Sequence, residues 1–491
     1  MMATAVVAAM TLGKLLGPAA GLHADLKIRD LVLDHRQVTV GAAFVAVPGS
    51  RVHGVRFASE ALARGAAVIL YEPTGAEGQV PPGPSIAIPS LKTRLGDLAR
   101  TFYGRGRAPA ELAGVTGTNG KTTVAHVIAQ AMQELGTPCG YIGTLGFGVP
   151  PAIVPHMLTT PDCLTLHREI AAMATPRVAL EVSSHALEQD RVAGLELRTA
   201  IFTNLTRDHL DQHGDFASYG RAKVRLFTRP ELRHAVVNRD DPFAASLTRA
   251  IPSTVRLFGT SLTGAAEADL AARFVSCGLD GMVLEIHGAH GRAVLDSRFI
   301  GRFNAENLLI ALGALLAWEV PFRDACAALA ACRPPKGRME IHGGDGAPYV
   351  VIDYAHTPDA LERALAALRA ACDGEIWCVF GCGGERDRGK RALMGQAAAR
   401  NAEHIVLTDD NPRGEDPAGI VADIRAGLAA HPSVVVEHAR DAAIARAIRD
   451  AGVEDVVLVA GKGHETVQII GSEQRPFDDR EAVARALGRL G

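Results

Sequence analysis

The stretch Gly114-Val115-Thr116-Gly117-Thr118-Asn119-Gly120-Lys121-Thr122-Thr123 decides the fold. The run Glu111-Leu112-Ala113 feeds into it, and an alanine-rich pattern of helical period leaves it from about Val124. Strand, glycine-rich loop, helix is the order that cradles phosphate. Glycines let backbone N–H groups curl around phosphate oxygens, Lys121 can reach the β- and γ-phosphates, and the Thr122 hydroxyl suits Mg²⁺. The helix adds its positive N-terminal dipole. The spacing departs from GxxxxGK[ST], since Val115 stands at the first glycine position and Gly114 lies one residue early. Gly-Lys-Thr-Thr between a strand and a helix has no packing purpose, so a nucleotide is expected at the centre of this chain.

At 491 residues the chain has room for two to four domains, with three the central expectation. Its 48% hydrophobic and 21% charged content is that of an ordinary globular protein. A net charge of -3 with both signs scattered leaves no nucleic-acid footprint. Eight cysteines without a CxxC pair read as reduced thiols. Met1 to Met10 is apolar, but its first lysine is Lys14 and no apolar run reaches membrane-spanning length. A cytoplasmic protein with an N-terminal helix and no membrane partner is expected.

The class is α/β throughout. Residues 1–90 carry short strand-like runs, Leu31 to Leu33, Ala43 to Val47, Ala67 to Tyr71 and Ile86 to Ile88, around a helical pattern at Phe57 to Arg64. Residues 91–334 open on a linker helix, Leu91 to Tyr103, and the phosphate loop. There Val178 to Val182, Ala200 to Leu205, Ala235 to Asn238 and Val255 to Phe258 alternate with helices, which predicts a mostly parallel central sheet. Met282 to Ile286 and Arg292 to Phe299 read as an antiparallel addition, and Pro334-Pro335 marks a boundary. Residues 335–491 repeat the alternation as a second, doubly wound sheet. Its polar clusters, Asp353 to His356, Gly383 to Arg386, Asp409 to Arg413 and Gly461 to Glu465, each follow a strand, where such sheets bind ligands.

Glu181-Val182-Ser183-Ser184-His185 and Thr203 to Asp211 end two strands beside the phosphate loop. Acid, hydroxyl and imidazole at such density suit Mg²⁺ and phosphate chemistry, although capping of loops explains any one of them. Lys223, on a helical pattern, reads from periodicity alone as a solvated lysine.

Taken together, Gly117 to Thr123, Thr159-Thr160-Pro161-Asp162, Glu181 to Leu187, His209, Ala222-Lys223, Gly301-Arg302-Phe303-Asn304 and Asp353 to Asp359 resemble the Mur ligase family over nearly the whole chain. The resemblance implies a UDP-binding N-terminal domain, a central P-loop ATPase and a Rossmann-like C-terminal domain. It implies ATP-dependent amide formation through an acyl phosphate on the D-Glu γ-carboxylate of UDP-MurNAc-L-Ala-D-Glu, in peptidoglycan precursor synthesis; a monomer is expected. It implies that Gly117, Thr118, Asn119, Gly120, Lys121, Thr122, Thr123, Asn304, Arg338 and Asp353 meet ATP. Thr122, Glu181 and His209 would be associated with Mg²⁺, with Lys223 carbamylated by CO₂ as a further ligand. Leu33, His35, Ser50, Thr159, Thr160, Ser183, Gln189 and Arg191 would meet the UDP-sugar peptide. The N-terminal part departs from the family, since His35 stands where serine is usual and His53 where aspartate is usual.

Asp410-Asn411-Pro412-Arg413 is similar to the signature of the members that add meso-2,6-diaminopimelate, with Arg386, Gly461 and Glu465 completing the set. The chemistry agrees, because a second substrate carboxylate can take paired, charge-assisted bonds from Arg413, which lysine would leave unpaired. Folylpolyglutamate synthesis shares the loop but does not account for this signature. A nucleotide switch without ligase activity would hydrolyse ATP indifferently to amino acid.

Overall fold

The computed structural model of the protein describes residues 8–49, 52–106, 108–208, 213–265, 267–429 and 431–488. The chain divides into two compact units, one of Met1–Gly114, Thr137–Ala200 and Thr228–Arg233, the other of Val115–Gly136, Ile201–Phe227 and His234–Gly491.

In the first unit, β1 (Asp30–Val32), β2 (Ala42–Ala46), β3 (Val68–Tyr71) and β4 (Ser85–Ala87) form a parallel sheet in that order. Ala43, Val45, Val68 and Leu70 pack on Leu95, Leu98 and Phe102 of the helix Leu95–Tyr103. Ala42, Phe44, Ala46 and Ile69 face the other way, onto Ala58 and Ala61. Burial on both faces is why β2 reads as an unbroken apolar run.

Further along come β5 (Glu111–Thr116), β6 (Cys139–Gly143), β7 (Gly146–Val149), β8 (Ala152–Val154), β9 (Arg177–Glu181) and β10 (Leu197–Phe202). β9 pairs parallel with β6, while β7 and β8 return as an antiparallel meander. β6 and β7 are not legible in the sequence, where their glycines read as breakers, and β8 is only three residues long. At Gly146, with φ at 126°, an added Cβ would overlap Val154 O, so that glycine is what admits β8 beside β7.

The second unit continues with β11 (His234–Asn238), β12 (Arg256–Ser261), β13 (Leu270–Gly278), β14 (Gly281–Gly288) and β15 (Gly291–Ser297) in sheet order. β11 to β13 are parallel, and β14 and β15 form the expected antiparallel addition. β13 is not legible in the sequence, because a bulge between Phe274 and Ser276 breaks its alternation.

Beyond residue 335 lie β16 (Glu340–Gly344), β17 (Ala347–Asp353), β18 (Ile376–Phe380), β19 (His404–Leu407), β20 (Val434–Val436) and β21 (Val456–Ala460). They form one sheet in the order β16-β17-β21-β18-β19-β20, parallel except for β16. Val351, Ile376, Cys378, Phe380, Val456 and Leu458 enter one core, and Val350, Ile352, Val379, Val457 and Val459 the other. This strict period of two with both faces buried is the doubly wound layout, and it sets all four polar clusters at one edge, the carboxyl ends of β17, β18, β19 and β21.

The expected N-terminal helix is not found at Met10, which with Thr11 forms a short strand paired with Lys27–Ile28; the helix begins at Leu12. Residues 1–7 lie outside the described residues. Among the described residues no helix is long and apolar enough to cross a membrane.

One buried ion pair braces the C-terminal sheet. Arg440 and Asp479 are each 0% exposed, joined by Nε to Oδ1 at 2.7 Å and Nη2 to Oδ2 at 2.9 Å, and Nη2 also donates to Ala460 O at the end of β21. Asp479→Ala leaves a buried guanidinium unpaired and is expected to cost about 3–5 kcal/mol, whereas Arg440→Met combined with Asp479→Leu costs less. Urea unfolding followed by circular dichroism measures both; a double variant no better than the single would refute this account.

Candidate functional site

β5 delivers the phosphate loop, and Gly120, with φ at 85°, turns it into the helix Lys121–Glu134. A Cβ at Gly120 would overlap Asn307 Oδ1 of the helix Arg302–Ala317, so only glycine passes there. The helix starts three residues before its apolar pattern, which places Lys121, Thr122 and Thr123 in the first turn, where backbone N–H groups lack helical partners.

The strand-end cluster after β10 holds this loop in shape. Asn204 Oδ1 accepts from Asn119 N at 2.9 Å and its Nδ2 donates to Asn119 O at 3.1 Å, while Thr203 Oγ1 donates to Asn119 O at 2.6 Å. Thr118 Oγ1 accepts from Thr206 N at 3.0 Å and lies 3.1 Å from Tyr219 OH.

Two ammonium groups meet on one carbonyl. Lys121 Nζ donates to Gly117 O and Thr118 O at 2.9 and 2.8 Å, and Lys223 Nζ donates to Gly117 O at 2.9 Å. Lys223 is 1% exposed and sits 4.3 Å from the centre of the Tyr219 ring, far from the solvated lysine that periodicity suggests. Burial first, and then the charge of Lys121, hold its ammonium well below the usual lysine range, with Asp208 opposing. His209 lies outside the described residues.

Residues beyond 335 close over the loop. Arg338 Nη2 donates to Thr122 Oγ1 at 3.1 Å, and Asn119 Nδ2 donates to Asp359 Oδ2 at 3.0 Å. Arg338 Nε is buried without a hydrogen-bond partner, a donor that an anion beside Thr122 would satisfy. Its guanidinium lies over Tyr354, whose ring stands between His356 and His464 at 4.5 and 4.8 Å. Burial pushes His464 down to about 3, helped by Arg338, and His356 down to about 4, helped by Lys390. Asp353 accepts from Met339 N at 2.8 Å, and burial raises its carboxyl. Asn304 is turned inward, donating to Ile300 O and accepting from Asn307.

In the first unit the fully buried Glu181 accepts from Tyr141 OH and Thr144 N through Oε1, at 2.7 and 2.8 Å, and from Thr144 Oγ1 through Oε2 at 3.0 Å. Beside it the residues expected at the sugar peptide form one network. Thr159 Oγ1 touches Thr144 Oγ1, Thr160 Oγ1 accepts from Ser183 N, and Arg191 bridges Thr160 O and Gln189 Oε1. Burial lowers the Arg191 guanidinium.

In the N-terminal sheet, Leu33 is half-buried and packs against the core. His35 stacks on Phe57 at 4.4 Å and lies 3.2 Å from Glu60. His53 Nδ1 accepts from Val55 N at 3.1 Å and so caps the short helical turn Gly54–Phe57. Ser50 lies outside the described residues.

At the ends of β18, β19 and β21, Arg413 holds a left-handed backbone, φ 54°, which costs an arginine about 1–3 kcal/mol and persists only where the surroundings impose it. They do so here. Arg413 N donates to Ile469 O, Arg413 O accepts from Gly471 N, and Nη1 donates to Gly384 O at 2.9 Å and to Asn411 O at 3.4 Å. Pro412 is buried, while Arg386 stands exposed on the neighbouring loop. Arg391, wholly buried, ties that loop to this one through Gly383 O, Glu415 and Asp423. Asn411 Nδ2 donates to Glu465 Oε2 at 2.8 Å. Burial raises Asp410, and a Cβ on Gly461 would stand 2.6 Å from its Oδ2. The tasks of Tyr141, Thr144, Tyr219, Arg391, Asp359 and Lys462 carry no signal in the sequence beyond their nearness to motifs.

Within the second unit, the Thr122 hydroxyl is an oxygen donor of the kind that fits a hard cation. Among the described residues no group of three or more His, Cys, Asp or Glu is gathered for a metal, so cation binding here needs the hydroxyl and further donors.

A phosphate loop at a helix N-terminus, braced by a second strand end and closed by an arginine from the turn before the C-terminal sheet, defines a nucleotide-dependent phosphoryl-transfer protein. Residues 27–103 match the Mur ligase family catalytic domain, 115–315 the Mur ligase middle domain and 337–463 the Mur ligase glutamate ligase domain. The chain belongs to the Mur ligase family. It is 47% identical over 470 residues, 95% of each chain, to the UDP-N-acetylmuramoyl-L-alanyl-D-glutamate--2,6-diaminopimelate ligase of Xylella fastidiosa. It is 47% identical to that of Pseudomonas aeruginosa over 94% of this chain and 96% of the other. A solved structure of a ligase of the same name matches with a TM-score of 0.70 at 33% identity, covering 98% of this chain and 99% of that one.

Gly120→Ala adds a strained left-handed residue and an overlap with Asn307. It is expected to weaken ATP binding about tenfold or more with circular dichroism unchanged. Isothermal titration checks this, and unaltered affinity would show that the loop tolerates a side chain.

Proposed function

We propose that the chain is an ATP-dependent ligase that joins meso-2,6-diaminopimelate to the D-Glu γ-carboxylate of UDP-MurNAc-L-Ala-D-Glu in the cytoplasm. Residues 1–90 serve the UDP group, 91–334 ATP, and 335–491 the amino acid. The observation that carries this reading is the double use of Asn411. Its carbonyl accepts from Arg413 and its amide donates to Glu465, so a cation and an anion flank one residue. A diamino acid with two carboxylates is complementary to that pair, its second carboxylate on Arg413 and an ammonium on Glu465.

The reaction brings two anions together. The γ-carboxylate oxygen bonds to the γ-phosphorus as the β–γ bridge breaks and ADP leaves; the substrate amine then bonds to the acyl carbon, phosphate leaves and the nitrogen loses a proton. Lys121 and Arg338 lower the repulsion between carboxylate and triphosphate, and the loop holds the phosphates in line. Mg²⁺ would be held by Thr122, Glu181, His209 and a carbamate on Lys223, and supplies further charge neutralisation when bound. Carbamate formation needs a neutral amine to attack CO₂ with loss of a proton, and the lowered ammonium of Lys223 supports that step. The product is an anion in place of a second cation beside Lys121.

Phosphate release with the UDP-sugar dipeptide is expected to be about 10⁴-fold faster per substrate concentration with meso-diaminopimelate than with L-lysine, and Arg413→Ala to remove most of that ratio. Equal rates in the parent protein would defeat the Arg413 assignment. Lys223→Ala is expected to abolish turnover, with partial recovery on adding a short carboxylic acid; full activity without rescue would exclude the carbamate.

A further inference from the structure

The loops after β19 and β21 meet on Lys462, a residue that the motif Gly461 to Glu465 contains but the expected ligand set omits. Its side chain is 0% exposed, and its ammonium donates to Val467 O at 2.6 Å, Glu465 Oε2 at 3.0 Å and Asn411 Oδ1 at 3.2 Å. An ammonium has three N–H donors, and all three are spent. Being wholly buried, the group has no reach toward a ligand at the strand ends.

Its partners are the two side chains on which amino-acid binding turns. Asn411 Oδ1 accepts from Lys462 Nζ and also from Ile469 N at 2.9 Å. Reversing that amide would set its NH₂ against an ammonium and a backbone N–H, so the Nδ2 face is locked toward Glu465. Glu465 Oε2 then accepts from both Lys462 and Asn411, while Oε1 carries neither bond.

We propose that Lys462 is a positioning residue for amino-acid selection, which orients the Asn411 amide and the Glu465 carboxylate so that Glu465 Oε1 is presented to the substrate's ammonium. This rests on the diamino-acid reading of the site. Lys462 acts through those two residues and touches no reacting atom.

Lys462→Met keeps the apolar stem and removes the three donors. With purified full-length protein, the KM for meso-diaminopimelate is expected to rise about tenfold or more, while the KM values for ATP and the UDP-sugar dipeptide stay within about twofold. Added to Glu465→Gln, the same change is expected to raise the amino-acid KM by less than about threefold, because its target is already gone. A general structural role would move all three KM values together and persist in the Glu465→Gln background, which overturns the proposal. Lys462→Gln repeats the test with a residue that retains a donor, and loss of fold in both variants also overturns it, making the lysine a stability element. A parent protein whose phosphate release ignores diaminopimelate removes the reading and the proposal together. A diaminopimelate-dependent parent with unchanged KM in Lys462→Met removes the proposal alone.

Discussion

Two positive side chains sharing the carbonyl of Gly117 form the constraint on which the nucleotide site depends. Like charges so close, one of them fully buried, are tolerated only where an anion is to be bound or where one of the amines is neutral. The surroundings serve both conditions. The loop is shaped by Thr203 and Asn204 without using a charge, Tyr219 offers Lys223 an aromatic face, and Asp208 is the acidic group whose field reaches it. A loop of this kind cannot be understood from its own ten residues, because the groups that fix its curvature come from the next strand.

The C-terminal sheet solves a different problem with the same means. Under the diamino-acid reading proposed above, its strand ends present a cation and an anion to a ligand without letting them neutralise each other. Arg413 is held by carbonyls of Gly384 and Asn411, and Glu465 by Asn411 and Lys462. Each charge therefore has neutral or buried partners, and the amide of Asn411 stands between them. The buried pair Arg440 with Asp479, and the buried Arg391 with its half-exposed partners Glu415 and Asp423, add rigidity where the backbone at Arg413 is strained.

Much of this was legible in the sequence. Strands buried on both faces announce themselves as apolar runs, and β2, β17, β18 and β21 fall where those runs lie. The polar clusters that follow them were legible for the same reason, since charge directly after a buried strand has to emerge at the sheet edge. Two kinds of feature were not. Strands β6 and β7 are built on glycines that look like turns in the sequence, because only the neighbouring strand's approach shows why a side chain is excluded. Buried polar residues such as Lys462, Asn204 and Tyr219 look like any surface lysine, asparagine or tyrosine until the fold supplies their partners. Lys223 belonged to this class as well, and resemblance to a family, not periodicity, singled it out.

The bonds from Arg338 to Thr122 and from Asp359 to Asn119 span 216 and 240 positions of the chain. With such separations the ribosome delivers the phosphate loop long before either partner, so the contacts on Thr122 and Asn119 can form only after residues 338 and 359 have been made. A nascent or truncated chain ending before residue 338 carries the loop but lacks the guanidinium that caps Thr122.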